Sequence, residues 1–162
     1  MGGGERGKRP IYNQKSKTIN KKVTIYNQQG EIQKPKKNVF ISFHMGDRYA
    51  KELLGAQAKS DRFDLEFTNY AVDEPFDEKW KTQCKERIAM TSTMIVLIGP
   101  ETHQREAVNW EINEAYRQGK KVIGVRIHRY EKHKIPKDLI DNNAPIINWD
   151  IEEISKLLNE ED

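Results

Sequence analysis

Glu111, with Trp110 beside it to screen it from water, is the residue of this chain whose type and surroundings best suit bond-breaking chemistry. A carboxylate held against a sugar opposes positive charge growing at an anomeric carbon, the central need in breaking an N-glycosidic bond. Residue type alone does not decide the matter, because Glu near a helix start is also favoured by the helix dipole. A structural role for Glu111 therefore stays open on the residues alone. Ala107 lies one helical turn earlier on the same face, where a bulky side chain would meet whatever Glu111 touches. Phe43, His44, Asp47 and Arg48 follow one apolar run, and Gly99 and Thr102 follow another. Asp47 is also a common helix cap, and a loop histidine such as His44 is readily satisfied by backbone.

These residues must be positioned by alternating strands and helices. Val39 to Phe43 reads as a buried strand, and a helix follows near Arg48 to Lys59 with Asp47 as its cap. Phe63, Leu65 and Phe67 alternate as a second strand, and residues 69–76 form a loop. A helix from about Asp77 to Ala89 carries Trp80, Cys84 and Ile88 at a four-residue step. Met94 to Ile98 is a third strand, apolar enough to be buried on both faces and stopped by Gly99-Pro100. The helix holding Glu111 spans about Arg105 to Gln118, turns Val108, Ile112 and Ala115 to the sheet, and ends at Gly119. Val122 to Ile127 and Pro145 to Asn148 complete the strands, with a polar loop between them that includes a short helical turn at Lys137 to Ile140. Asp150 caps a last helix.

That order predicts an α/β, flavodoxin-like three-layer fold: a five-stranded parallel sheet of order 2-1-3-4-5 with helices on both faces. Ligands of such sheets bind outside the carboxyl ends of the strands, at the switch between strands one and three. The expected crevice therefore gathers Phe43, His44, Asp47 and Arg48, where contacts to ribose and phosphate are expected, with Gly99, Thr102, Ala107 and Glu111. No G-x-G-x-x-G or G-x-x-x-x-G-K-[ST] occurs. A receiver domain is excluded because Ile98-Gly99 stand where its acceptor Asp would be. His128 and His133 are five apart in a charged loop and His44 and His103 stand alone, so no metal is expected.

Charge divides the chain. Residues 1–37 hold ten Lys or Arg against Glu5 and Glu31, a net of +8, and the remainder holds 18 basic and 23 acidic residues, a net of −5. Residues 1–37 are read as a basic arm, able to contact an anionic partner or to act as a solvated tail, and dispensable for folding of residues 38–162. Ile11-Tyr12-Asn13-Gln14 recurs as Ile25-Tyr26-Asn27-Gln28, and a short hairpin is one reading of that pair. The single cysteine, Cys84, fits a reducing compartment and a packing role. With no apolar run long enough to span a membrane and no signal peptide read at Met1, a cytoplasmic protein is expected.

Three stretches carry a family resemblance. Asn38-Val39-Phe40-Ile41-Ser42-Phe43-His44 resembles the first strand of TIR-like proteins of the Thoeris antiphage defence group, and Thr91 to Thr102 resembles their third strand and following loop. Val108-Asn109-Trp110-Glu111-Ile112 is similar to their V-x-W-E-I segment. The resemblance covers about residues 38–150. It implies a TIR domain that cleaves NAD at the nicotinamide–ribose bond, with Glu111 holding the ribose hydroxyls and stabilising an oxocarbenium-like state. NAD is then a consumed substrate, with no resident cofactor. Self-association and a downstream effector that senses the product nucleotide are further implications. The group often has Ser and Trp near the positions of Arg105 and Ala107, so an altered product or a lost activity is open. A non-catalytic TIR-like adaptor and a nucleoside deoxyribosyltransferase-like enzyme are the alternatives. Trp80 resembles a family position but lies on a core stripe, which favours packing.

Overall fold

Alternate residues of each central strand belong to opposite apolar faces, and that alternation explains the layering. The computed structural model describes residues 16–19, 22–26, 28–30, 32–33, 37–58, 63–66 and 77–160, and contacts divide the chain into two units, residues 1–36 and 37–162. In the first unit β1 (Ser16–Ile19), β2 (Lys22–Tyr26) and β3 (Ile32–Gln33) pair antiparallel in that order. The turn before β3 ends at Gly30, whose φ of 83° lies where L side chains are strained. The first copy of the Ile-Tyr-Asn-Gln pair lies outside the described residues, as do Phe67 and the loop at 69–76.

The second unit runs β4 (Lys37–Ser42), α1 (Arg48–Ala58), β5 (Phe63–Glu66), α2 (Glu78–Ala89), β6 (Thr93–Ile98), α3 (Glu106–Arg117), β7 (Lys121–Arg126), α4 (Lys137–Asp141), β8 (Ile146–Asn148) and α5 (Ile151–Asn159). Its five strands lie in the order β5-β4-β6-β7-β8, every neighbouring pair parallel. This is the expected 2-1-3-4-5 sheet of an α/β, flavodoxin-like fold. Val39, Ile41, Ile95, Leu97, Ile123 and Val125 face Ala50, Leu54, Ile154 and Leu158 of α1 and α5. Phe40, Met94, Val96, Ile98 and Val122 face Trp80, Cys84 and Ile88 of α2 and Val108, Ile112 and Ala115 of α3. Each large side chain buried this way contributes about 1.5–3 kcal/mol of transfer free energy.

Local chemistry sets the helix ends. Asp77 caps α2 by accepting from Trp80 N at 2.9 Å, and Asp150 caps α5 by accepting from Glu152 N and Glu153 N. Gly119 ends α3 at φ 75°, with Gly119 N donating to Tyr116 O and Lys120 N to Ala115 O, each at 2.9 Å. Asp47, expected to cap α1, instead lies within a 3-10 turn at Met45–Asp47, and its buried carboxylate is turned toward Gly99 and Thr102. No helix among the described residues is long and apolar enough to cross a membrane.

Candidate active site

Val108, Glu111, Ile112 and Ala115 recur at the step that aligns one face of a helix, so the fold of α3 carries a carboxylate into the apolar layer. Only 5% of Glu111 is exposed. Ser42 is the last residue of β4 and shares the parity of Phe40, so its hydroxyl points to the same layer and donates to Glu111 Oε1 at 2.6 Å. The Cys84 thiol, on the α2 stripe, donates to Glu111 Oε2 at 3.5 Å. Both partners are neutral. Burial therefore dominates and pushes Glu111 up to about 7, against the opposing pull of the Ser42 and Cys84 hydrogen bonds. Cys84 is itself pushed far up by burial and then by the Glu111 charge, so it stays a thiol.

Glu114, one turn further along α3, shows what an ionic partner changes. It too is buried, but Arg117 donates to it from Nε at 2.9 Å and from Nη2 at 2.5 Å, and Gln118 Nε2 donates at 2.7 Å. Those Arg117 hydrogen bonds hold Glu114 below the usual carboxylate range. Two buried carboxylates on one helix thus take opposite protonation tendencies. Glu111 is the one suited to exchange a proton or a charge near neutrality.

A second group lies where the chain leaves β4 and β6. Asp47 is buried with its Oδ2 unpaired among the described residues, and a Cβ at Gly99 would come within 2.8 Å of its Cγ, so only glycine lets the carboxylate sit there. Burial raises Asp47, while His44, His128, Thr102 and His133 act against that rise. Thr102 is fully buried and its hydroxyl is engaged within the loop, accepting from Gly99 N at 2.8 Å and donating to Leu97 O at 3.2 Å. Asp47, Gly99 and Thr102 thus lie together, engaged with one another.

The other expected site residues are distributed differently. Phe43 is half-buried against the α1 and α5 layer, with Lys51 Nζ 5.8 Å from its ring centroid, whereas Glu111 belongs to the opposite layer. The sheet separates the two, as the parity of residues 42 and 43 requires. His44 is half-buried and folds back so that a Cβ at Gly46 would meet its Nε2 at 2.8 Å. Arg48 is exposed, 4.0 Å from Glu52. Ala107 is half-buried and packs with Trp110 against the α2 and α3 layer, and Trp110 meets Trp80 edge to face at 5.4 Å. Arg105 pairs with Glu101. Sequence reasoning missed Ser42, although its parity with Phe40 at the end of the first parallel strand was a usable signal. The loop after β7 reads as polar in sequence, with His128 and His133 five apart and no metal expected; the structure brings His128, Glu131 and His133 together there.

A family model described as "Thoeris protein ThsB, TIR-like domain" matches residues 40–132. No curated protein sequence matches the chain. Among solved structures, the CMP N-glycosidase BcmB of Clostridium botulinum is similar with a TM-score of 0.48 and 19% identity, over 76% of this chain and 98% of that one. A prokaryotic SEFIR domain gives 0.49 and 15%, over 78% and 94%. The TIR domains of the activated Roq1 resistosome give 0.45 and 8%, over 75% and 69%. The family match runs from β4 into the loop beyond β7, takes in every residue of the candidate site and spans more than half of the sequence, and the chain belongs to the family of the Thoeris protein ThsB TIR-like domain.

Proposed function

We propose that the chain is a TIR-domain NAD-cleaving enzyme, a glycohydrolase or cyclase that makes an ADP-ribose-derived signalling nucleotide in antiphage defence. The observation that carries this reading is Glu111 itself: a carboxylate on an apolar helix stripe, held by Ser42 at the end of β4 and raised to about 7 by burial. Such a group costs stability and has no ionic partner among the described residues, which is the pattern of a functional carboxylate. In NAD the bond from ribose to the nicotinamide nitrogen breaks, and its electron pair leaves with the nitrogen. Nicotinamide departs neutral and needs no general acid. Positive charge passes to the ribose, where the ionised carboxylate of Glu111 opposes it in a low-dielectric setting. Attack on that carbon by water gives a linear product, and attack by a hydroxyl of the same ADP-ribose gives a cyclic one. Self-association through the TIR domain and an effector that reads the product belong to the same reading.

The test is NAD consumption with a chromatographic product profile, for wild type and Glu111→Gln under whichever condition first activates the wild type. Glu111→Gln keeps the size and loses the charge, so turnover should fall by roughly 100-fold or more, with substrate affinity less affected. A folded variant that consumes NAD at the wild-type rate would end the catalytic assignment. One observation favours a non-catalytic adaptor as the second reading: both Glu111 oxygens are already engaged, and the residue is 5% exposed. Assembly without NAD loss under any activating condition would establish that alternative.

A further inference from the structure

The loop after β7 brings three ligand-type atoms to one point. His128 Nδ1 is 2.9 Å from His133 Nε2, and Glu131 Oε2 is 3.0 Å from His133 Nε2 and 3.4 Å from His128 Nδ1. We propose that His128, Glu131 and His133 form a binding site for a divalent transition cation of the zinc class, with those three atoms as its ligands. Atoms bound at about 2.0–2.2 Å to one ion lie about 3 Å apart at right angles and about 3.4 Å apart at the tetrahedral angle. The observed separations fall in that range. Hydrogen bonding accounts for them less well. One proton between the facing nitrogens cannot also point along both contacts to the carboxylate, whereas one cation engages three lone pairs together.

The surroundings fit ligation. His128 Nε2 lies 2.7 Å from the Tyr49 hydroxyl. With Nδ1 on the cation, Nε2 keeps the proton and donates it to the Tyr49 oxygen, which fixes the tautomer and the ring. Glu131 N donates to His128 O at 3.2 Å and Arg126 Nη1 donates to His133 O at 3.3 Å, so the loop is shaped by bonds that leave the ligand atoms free to coordinate. Two imidazoles and one carboxylate suit zinc, nickel, cobalt or iron better than magnesium or calcium. Three protein ligands also leave further coordination positions open to water or to a ligand. His128 comes two residues after the carboxyl end of β7, so the cation would lie at the carboxyl edge of the sheet.

The experiment uses the full chain stripped with a chelator, titrated with Zn2+ by calorimetry and with Co2+ by visible absorption. One equivalent should bind. His128→Ala and His133→Ala should each weaken binding by roughly 100-fold, and Glu131→Gln and Tyr49→Phe by roughly tenfold or more. The last two change exposed side chains and keep both imidazoles, so they test the site even if a histidine variant fails to fold. Wild-type affinity in a folded His128→Ala/His133→Ala double variant, or no uptake at millimolar zinc, would overturn the site.

Discussion

Glu111 and Glu131 each meet two side chains near the carboxyl ends of the parallel strands, but Glu111 is 5% exposed inside an apolar layer and the Glu131 side chain is 62% exposed on a loop. The first is held by tertiary packing between α2, α3 and β4. The second is held by a turn and by its neighbours within six residues of chain. Burial with no ionic partner among the described residues raises Glu111 toward neutrality and makes its charge costly. Exposure lets solvent screen Glu131, so its interactions contribute little to stability and acquire weight only with a cation between them. The difference predicts that the two clusters respond differently to mutation and to metal.

The largest effect on stability should come from titrating Glu111. Its folded value of about 7 lies above the ordinary 4.5, so the folded state holds the proton more tightly than the unfolded chain. The resulting stability is fully present below about pH 4.5 and is lost as pH rises through about 7, by about 3 kcal/mol. Glu111→Gln lacks this loss, so its stability relative to wild type should climb over that window. Urea melts of both proteins from pH 4.5 to 8.5 would measure it, and parallel curves would show that Glu111 is not desolvated as described.

A smaller effect should follow Ser42→Ala. The substitution removes the donor to Glu111 Oε1, and hydrogen bonds to charged groups are worth about 1.5–3 kcal/mol. The loss should be larger at pH 8, where Glu111 is ionised, than at pH 5, and the rising limb of any NAD-cleaving activity should move to higher pH. Equal losses at both values would mean that Ser42 only packs. Least affected should be the loop: metal-free Glu131→Gln and Tyr49→Phe should melt within about 0.5 kcal/mol of wild type. A greater loss would show that the loop cluster supports the fold itself and would erase the contrast with Glu111.

Much of this protein was legible from local pattern. The strand and helix sequence, the stripe Trp80-Cys84-Ile88, the cap at Asp150 and the Gly119 stop all follow from periodicity or from a single residue's conformational range. So did the presence of Glu111 in the helix after the third strand of the sheet, whereas its burial among Val108, Ile112 and Ala115 was shown by the structure. Tertiary structure alone decided its partners, because Ser42 lies 69 residues away and Cys84 lies 27 away, and no local spacing encodes which strand end meets which helix. It also decided that Phe43 falls on the opposite face from Glu111 and that Asp47 turns toward Gly99 instead of capping α1. His128 and His133 were visible as two histidines five apart, but not as side chains in contact with each other and with Glu131. Their approach depends on the path of an irregular loop, which has no period to read.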